Sequence, residues 1–314
     1  MLGQQVVECS PSLLRAVRGA KPVRTAVVNA VNAVALESAR DAMEAGLIVP
    51  VLFGNTEAIR FAADSIGWDI AAVEVVAATG EEAAANAAAM AAGAGTVEAL
   101  MKGHLHTDVF MKAVLNKEAG LRMGRPLTHI AYLTFPGRSR AFFLSDGALN
   151  PAPDVEARKA IIQNAVTLAH ALGIQRPKVA LISATEVVSP KVPSTTESVE
   201  LTKWAKTAMP DADVDGPLAF DLAVSPEAVK IKGIASPVAG AADILIVPEI
   251  VSGNALMKSM TQFLGACLGG VVVGAKVPIL LTSRADPPAA RLASAALAVA
   301  LRNYEVKQAK RAAA

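Results

Sequence analysis

Residues suited to phosphate chemistry follow an apolar run near the C-terminal end of the chain. Residues 277–281 are apolar, which predicts a strand buried on both faces, and the run ends at Thr282, Ser283 and Arg284. Pro287 and the alanine-rich segment after it predict the start of a helix. Open α/β sheets bind ligands at the carboxyl ends of their strands, and an arginine fork can hold two phosphate oxygens. Ser283 and Arg284 are therefore candidate site residues; the alternative is that Ser283 caps the helix and Arg284 is solvated.

The segment KGHLHT at residues 102–107 also follows a strand-like run and precedes a helix pattern. A glycine at this point lets backbone N–H groups approach an anion, and Lys102 adds positive charge. The histidines at 104 and 106 could instead bind a metal, but Asp108 is the one carboxylate close by in sequence, so we expect no metal site. The candidate substrate-binding residues of this segment are Lys102, Gly103, His106 and Thr107.

Two further loops combine polar residues with Gly or Pro after a strand-like run. In SDGALNP (145–151) the dipeptides Asp-Gly and Asn-Pro indicate a turn, but Asp146 and Asn150 suit a binding site equally well. In residues 183–198, Thr195 or the serine before it can cap a helix. A cap does not explain Lys191 between two prolines, so Lys191 and Thr195 are also candidates.

The remaining candidates lie between residues 215 and 254. Ser252, Gly253 and Asn254 precede a predicted helix whose first N–H groups are unpaired, which is typical of an anion site. The segment that contains Asp221, and the two lysines at 230 and 232, suggest the lining of a cleft, although solvated loops are the ordinary alternative.

The composition indicates a packed globular protein. Its 314 residues are 53% hydrophobic and 4% aromatic, and the net charge is +2, which argues against a nucleic-acid partner. The two cysteines fit a reducing, cytoplasmic setting without disulfides. We expect neither a signal peptide nor a membrane span, because the N-terminal segment lacks the pattern and the apolar window 265–282 is interrupted by glycines, Lys276 and Pro278.

Alternating strand and helix patterns predict an α/β fold with a parallel sheet covered on both faces. A β-hairpin around Pro136 and Gly137 marks the entrance to a second domain. The predicted strands are 23–30, 47–53, 70–76, 96–101, 179–182 and 244–247, with the hairpin at 128–146. The predicted helices are 34–45, 56–65, 81–92, 108–118, 154–172, 195–208, 254–268 and 289–301, after an N-terminal helix in residues 1–20.

The polar loops, taken together, resemble the phosphate acetyl/butyryltransferase family. The similarity covers most of the chain in one order, and its segments are KGHLHT (102–107), SDGALNPAP (145–153), ISATEVVSPKVPSTTES (182–198), VDGPLAFDLAVS (214–225), KGIASPVAGAADILIVPEIVSGN (232–254) and SRADP (283–287). The resemblance implies reversible transfer of an acyl group between coenzyme A and inorganic phosphate, giving an acyl phosphate, with no cofactor. It also implies small-molecule partners only and a homodimer formed through the second domain.

The resemblance further implies a two-domain α/β/α fold like that of isocitrate/isopropylmalate dehydrogenases, with the active site in a cleft between the domains. The last strand and helix of that fold return to the first domain. The first domain is accordingly expected at 1–127 and 272–314, and the second at 128–271.

Several positions depart from the acetyltransferase pattern. A functional Ser-Arg pair falls on Ser283 and Arg284, but the family's acid, one helical turn further on, is replaced by Ala290. Asp286 is the substitute candidate for a catalytic base, and it equally suits a helix N-cap. The family's helix arginine falls near Met111, and an alanine-rich helix replaces a basic segment. These departures favour the butyryl-type branch or the transferase half of a bifunctional hydratase/acyltransferase, and the acyl chain length stays open.

Two other classes of function stay open from the sequence. One is a metal- and nicotinamide-dependent hydroxyacid dehydrogenase on the same fold, which needs a cluster of cleft aspartates. The other is a non-catalytic binding protein, which the missing acid allows.

Overall fold

The structure, a computed structural model, describes residues 7–138, 140–281 and 286–312. The chain divides into two compact units. The outer unit comprises Cys9–Gly124 and Gly269–Ala314, and the middle unit comprises Arg125–Leu268 with Met1–Glu8. No helix in the described ranges has the length and apolar character needed to cross a membrane.

The elements up to residue 124 alternate between helix and strand. They are α1 (Pro11–Ala16), β1 (Val23–Val28), α2 (Ala33–Glu44), β2 (Ile48–Gly54), α3 (Thr56–Ser65), β3 (Glu74–Ala77), α4 (Glu81–Ala94), β4 (Ala99–Lys102), α5 (Thr107–Leu115) and a 3-10 turn (Lys117–Ala119).

The remaining elements begin with a hairpin. They are β5 (Thr128–Thr134), β6 (Ala141–Ser145), α6 (Val155–Ala171), β7 (Lys178–Ile182), α7 (Pro193–Ala208), β8 (Asp213–Leu218), α8 (Phe220–Val224), α9 (Pro226–Lys232), β9 (Ile244–Ile246), α10 (Ile250–Leu264), β10 (Cys267–Val273), β11 (Ile279–Leu280) and α11 (Pro288–Ala312).

The strands of the outer unit lie in the order β3-β2-β1-β4-β11-β10. All neighbours are parallel except β10 and β11, which are antiparallel. The order changes direction after β3, because β4 lies on the far side of β1. Since crossover connections are right-handed, α2 and α3 cover one face and α4 the other. The packing agrees: α2 contacts α3 and α11, whereas α4 contacts α5.

Local sequence explains where two of these helices begin. The Asn32 side chain accepts the backbone N–H of Ala35 at the start of α2, and Asn55 accepts that of Ala58 at the start of α3. Asparagine is among the best residues for this N-cap position. The apolar side chains of β1, β2 and β4 are mostly buried, as expected of parallel strands covered on both faces.

The strands of the middle unit lie in the order β5-β6-β9-β7-β8. The predicted hairpin is confirmed, because β5 and β6 are antiparallel with Ala131 opposite Leu144. The strands β6, β9, β7 and β8 are parallel, so the loops that follow them leave the same edge of the sheet.

The elements differ from the predicted pattern in several places. The strand expected at 70–76 begins only at Glu74 and ends at Ala77. The helix expected at 254–268 is α10, which begins at Ile250 and ends at Leu264. The glycine-containing window after it holds a seven-residue strand, β10. The turn-like sequence DVDGPL forms β8, which pairs with β7.

Candidate active site

The outer unit brings the ends of three parallel strands to one edge of its sheet. Val28 at the end of β1 is level with Lys102 at the end of β4. Leu280 in β11 is level with Met101, so the segment that follows β11 starts beside Lys102. The strand order changes direction between β1 and β4, and such a point is where doubly wound sheets bind their ligands.

Gly103 is required by the close approach of β4 to β1 at this edge. Its N–H donates to the Val28 carbonyl at 3.0 Å. A Cβ at this position would lie 2.3 Å from the same carbonyl oxygen, a distance that side chains do not tolerate. Glycine therefore lets the loop 102–107 cross the end of β1, beside the half-buried Lys102.

Two asparagines hold His104 in one orientation. The Asn29 carbonyl accepts the His104 N–H at 3.0 Å, while the Asn29 side chain donates to the His104 carbonyl. Asn29 adopts a left-handed φ of 52°, which asparagine tolerates better than most residues. The Asn32 side-chain nitrogen lies 3.1 Å from Nδ1 of His104. The backbone and the ring of His104 are both fixed from the β1–α2 connection.

His106 is held from a different helix. The Glu81 carboxylate, at the first residue of α4, accepts the His106 backbone N–H at 2.9 Å and lies 2.9 Å from Nδ1 of its ring. These hydrogen bonds from the His106 backbone and ring lower the pKa of Glu81, so the carboxylate stays ionised. His106 is the N-cap residue of α5, and Thr107 is the exposed first residue of that helix.

The Ser-Arg pair predicted to be catalytic lies outside the described residues. Ser283 and Arg284 fall in the gap between Leu281 and Asp286. Asp286 is half-buried, and its backbone oxygen accepts a guanidinium N–H of Arg291 at 2.6 Å. Because α11 begins at Pro288, the residue directly before the helix is Pro287, and Asp286 stands one residue earlier than the expected N-cap.

In the middle unit, Asp146 organises the loop after β6. Its side chain is 2% exposed. One carboxylate oxygen accepts the N–H groups of Ala148 and Leu149 at 2.8 and 2.9 Å. The other accepts the N–H of His129 at 3.0 Å and the side-chain amide of Asn150 at 2.6 Å. Four donors occupy this buried carboxylate, so Asp146 shapes the loop, and Asn150 ties it to the Leu127 carbonyl.

The predicted anion site at the start of α10 is wrong. Glu249 is the N-cap residue, and its carboxylate accepts the N–H groups of Val251 and Ser252 at 2.7 and 2.8 Å. Burial raises the pKa of Glu249, but hydrogen bonds from Ser252 and Val251 outweigh it and the net pKa is lowered. The helix starts before Gly253 and Asn254, and its first N–H groups already have an acceptor.

Gly253 and Asn254 instead join α10 to the loop after β6. A Cβ on Gly253 would lie 2.9 Å from the Gly147 Cα, so both glycines permit close contact between backbones. The Asn254 amide donates to the Gly147 carbonyl at 3.3 Å. The loop after β6 and the start of α10, which are separate candidates in the sequence, therefore pack against each other.

The loop after β7 is held by Thr195 rather than capped by it. The N-cap position of α7 is Val192, which makes no side-chain cap. Thr195 is fully buried, and its hydroxyl lies 2.7 Å from the Val192 carbonyl and accepts the Ser189 N–H at 2.9 Å. Lys191, in the same loop, has an exposed side chain.

An ion-pair cluster links the loop after β7 to the two helices that follow β8. The ammonium group of Lys232 lies 3.3 Å from Glu186 and 3.9 Å from Asp221. The pKa of the Glu186 carboxyl is lowered, and the largest cause is a hydrogen bond with the Glu186 backbone. Lys232 lowers this pKa further. The cluster places Asp221 at the same sheet edge as Lys191, since β7 and β8 are parallel.

The structure therefore groups the predicted residues in two places, each within one unit. Lys102, Gly103, His106 and Thr107 lie together at the β1–β4 edge. The residues of the middle unit lie on the loops and the first helical turns that follow the carboxyl ends of its strands, namely Asp146, Asn150, Lys191, Thr195, Asp221, Gly253 and Asn254. Within the described ranges, no group of three His, Cys, Asp or Glu side chains could hold a metal ion.

Four residues that shape these loops were not predicted from the sequence. Asn29 and Asn32 had a usable signal, because asparagine after a strand favours left-handed turns and helix caps. Glu81 had none, since its contact with His106 spans 25 positions of sequence. Glutamate is an unusual N-cap residue, so the residues Ser252, Gly253 and Asn254 gave a stronger signal for the start of the helix than Glu249 did.

Comparison with known proteins gives a consistent result. The family model described as "Phosphate acetyl/butaryl transferase" matches residues 81–299. The chain is 43% identical over 287 residues to a phosphate acetyltransferase of Rhizobium meliloti, with 91% of each protein covered. It is 38% identical over 287 residues to a phosphate butyryltransferase of Clostridium acetobutylicum, with 91% of this chain and 95% of that protein covered.

Solved structures show the same relationship. A branched-chain phosphotransacylase from Enterococcus faecalis V583 matches with a TM-score of 0.77 at 33% identity, over 89% of this chain and 99% of that one. A 4-hydroxythreonine-4-phosphate dehydrogenase from Burkholderia phymatum matches with a TM-score of 0.55 at 13% identity, over 89% and 98%. The second match concerns the fold alone, and it confirms the expected dehydrogenase-like α/β class.

Proposed function

The chain belongs to the phosphate acetyl/butyryltransferase family, and we propose that it transfers an acyl group reversibly between coenzyme A and inorganic phosphate. The observation that carries the proposal is the family match over residues 81–299, which spans every candidate site residue predicted from the sequence. The products are an acyl phosphate and free coenzyme A in one direction, and an acyl thioester and phosphate in the other. Phosphate-dependent release of the coenzyme A thiol from an acyl thioester tests the proposal.

The anion-binding part of this function is best supported at the β1–β4 edge. Lys102 supplies a positive charge, and Gly103 brings the backbone of the loop against the end of β1. We assign Thr107 a hydroxyl contact with the phosphate, because it is exposed at the first residue of α5. Phosphate oxygens are stabilised by such cations and helix-terminal N–H groups.

We assign oxyanion stabilisation to the Ser283–Arg284 pair, as the family resemblance implies. Negative charge develops on the carbonyl oxygen when a thiolate or a phosphate oxygen attacks the acyl carbon. A hydroxyl and a guanidinium aimed at that oxygen contribute the type of stabilisation that is usually the largest in acyl transfer. In the sequence both residues follow β11 after Leu281 and Thr282, and β11 pairs with β4 in the sheet.

We assign the exposed groups of the middle unit to the coenzyme A side of the reaction. Lys191 carries an exposed cation suited to the phosphates of coenzyme A. Asp221 is held by Lys232 and offers an acceptor. Asp146, Asn150, Thr195, Gly253 and Asn254 act on substrate indirectly, by fixing the loops that carry such groups.

The acyl group is proposed to be short, from acetyl to butyryl. The relatives bear both names, and the substitutions at Ala290 and Met111 favour the butyryl side.

The reaction requires no nucleotide, redox cofactor or metal, so activity is expected to survive EDTA. The cytoplasm supplies both substrates and is the proposed location.

A homodimer formed through the middle unit is also proposed. Val251, Phe263 and Leu264 on α10 have exposed fractions of 69%, 66% and 53%. Large apolar side chains exposed to water at both ends of one helix are typical of a protein interface. Light scattering at micromolar concentration should give twice the 32.2 kDa chain mass, and a monomer would contradict this assignment.

A further inference from the structure

The two histidines of the loop after β4 are held in opposite ways. The Asn32 oxygen accepts the N–H of Ala35 at 3.0 Å, and a backbone N–H can only donate. The other end of the Asn32 side chain is therefore the NH2 group, which lies 3.1 Å from Nδ1 of His104. Because NH2 can only donate here, Nδ1 of His104 must accept, and the proton of its neutral ring sits on Nε2.

The ring of His106 has the reverse arrangement. Its Nδ1 lies 2.9 and 3.2 Å from the two oxygens of Glu81, and an ionised carboxylate only accepts hydrogen bonds. Nδ1 of His106 therefore carries a proton, and in the neutral ring Nε2 has a free lone pair. The His106 side chain is 69% exposed, so a substrate can reach it.

We propose that the Glu81–His106 pair is the general base of the acyl transfer, with Nε2 of His106 taking the proton of the coenzyme A thiol. A carboxylate that holds Nδ1–H orients the ring and stabilises the imidazolium formed when Nε2 is protonated. His104 cannot take this role, since its Nε2 already carries the proton. The inference rests on the proposed function, and it supplies the base that the sequence lacks at Ala290.

The step balances with phosphate as the final proton acceptor. In the direction that consumes acyl phosphate, Nε2 of His106 takes the S–H proton and the thiolate sulfur attacks the acyl carbon. A C–S bond forms, and the C–O bond to the phosphate group breaks as the tetrahedral intermediate collapses. The departing phosphate takes the proton from the His106 imidazolium and leaves as hydrogen phosphate. No oxidant, reductant or metal is consumed.

Among the described residues, the ion pair found for the His106 ring is the one with Glu81. Glu81 is held as a carboxylate by its own hydrogen bonds to His106. The remaining groups on the loop and the two helices that meet there are Lys102, His104, Glu82, Asp108 and Lys112.

His106→Asn tests the proposal without removing the anchor of the loop. Asparagine keeps the backbone N–H that Glu81 accepts, and it is a favoured N-cap residue for α5. It has no atom in place of Nε2. We expect kcat at neutral pH to fall about 10²- to 10⁴-fold, the usual contribution of a general base, with little change in the KM for coenzyme A.

The pH profile separates a base from a structural residue. A cysteine thiol ionises with an ordinary pKa of about 8.5, and the coenzyme A thiol likewise ionises on the alkaline side of neutrality, so the need for a base declines as pH rises. The ratio of wild-type to His106→Asn rates should therefore shrink as pH rises from 7 to 9.5. Imidazole in the buffer should restore part of the lost rate at pH 7.

Glu81→Gln provides a second variant, and His170→Asn a control. Glu81→Gln should also lower kcat more at pH 7 than at pH 9.5. The loss should be smaller than for His106→Asn, because the imidazole ring remains. His170→Asn, on α6 in the other unit, should leave kcat unchanged. If the wild type is active and His106→Asn keeps its rate within a fewfold, or loses rate equally at every pH, the base assignment is overturned. An inactive wild type would instead refute the proposed function.

Discussion

The carboxylate of Glu249 accepts the backbone N–H of Ser252 at 2.8 Å, which makes Glu249 the N-cap residue of α10. The same carboxylate accepts the N–H of Val251 at 2.7 Å. The start of this helix is thus complete without a ligand. It positions Asn254 and Gly253 against the loop after β6.

Glu249→Ala should destabilise the protein by about 0.5–2 kcal/mol, because two helix N–H groups lose their acceptor. Chemical denaturation measures the change. Glu249→Asp, which can also accept at an N-cap, should lose less. Equal stability of Glu249→Ala and wild type would show that the cap contributes nothing.

Glu81 should make the stability of the protein depend on pH at acid values. Its pKa is lowered in the folded chain by hydrogen bonds from His106, so its contribution to stability is present above the unfolded value of 4.5. That contribution is lost as pH falls through the folded pKa. The stability difference between wild type and Glu81→Gln should accordingly be larger at pH 6 than at pH 3.5. Thermal melts across this range measure it, and a difference that grows toward acid would contradict the assignment.

Asp146→Asn should destabilise strongly despite its small change in shape. An asparagine keeps one acceptor oxygen and turns an amide donor toward two existing donors. Two hydrogen bonds to a buried charge are lost, at about 1.5–3 kcal/mol each. The matched control is Asp154→Asn at the N-cap of α6, where asparagine caps equally well and stability should hardly change. Similar losses for the two variants would refute the role given to Asp146.

Gly103→Ala should disturb both stability and phosphate binding. The added methyl group would lie 2.3 Å from the Val28 carbonyl oxygen, so the loop must move, at a cost of about 1–3 kcal/mol. We expect a raised KM for phosphate. In the control Gly46→Ala, the new Cβ meets nothing within 4 Å, and a φ of 71° causes only local strain. Gly46→Ala should leave the KM for phosphate unchanged, and an unchanged KM in Gly103→Ala would contradict the placement of phosphate at this edge.

Arg284→Ala should remove most of the activity. Loss of one oxyanion contact typically costs about 2.7–4 kcal/mol, or roughly a hundredfold to a thousandfold in kcat. Steady-state rates measure it, with exposed Arg60→Ala on α3 as the control. A rate within a fewfold of wild type would remove Arg284 from the reaction. Asp286→Asn should keep a near-normal rate if His106 is the base.

The parts of the fold that the sequence predicted well are those decided locally. Pro136 and Gly137 favour a turn through their own backbone preferences, and the flanking apolar runs pair as a hairpin. Asn55 both ends a strand and caps the next helix, so that boundary was visible in one residue. The α/β class followed from the alternation of such segments.

The parts that were missed depend on distant residues. Gly269 looks like a break in β10, yet a Cβ there would lie 2.9 Å from Ala293 on α11, so the glycine permits strand and helix to pack. β8 contains Gly216 and a proline, and it is a strand because β7 offers it a partner.

In the candidate site, too, features set by local sequence were predicted and features set by distant residues were not. The loop 102–107 was recognised from its own residue types and from the family resemblance. The opposite settings of His104 and His106 depend on Asn32 and Glu81, which lie 72 and 25 positions away in sequence. Contacts of that range cannot be predicted from the spacing of the histidines.

The most direct test of the account is the acyl transfer itself. Purified protein is mixed with acetyl-, propionyl-, butyryl- or valeryl-coenzyme A, with and without inorganic phosphate, and free thiol and acyl phosphate are measured separately. We expect thiol release that requires phosphate, equals the acyl phosphate formed, survives EDTA and is fastest within the acetyl to butyryl range. Absence of phosphate-dependent thiol release with every one of these thioesters, from protein shown to be folded by its thermal melt, would contradict the proposed function.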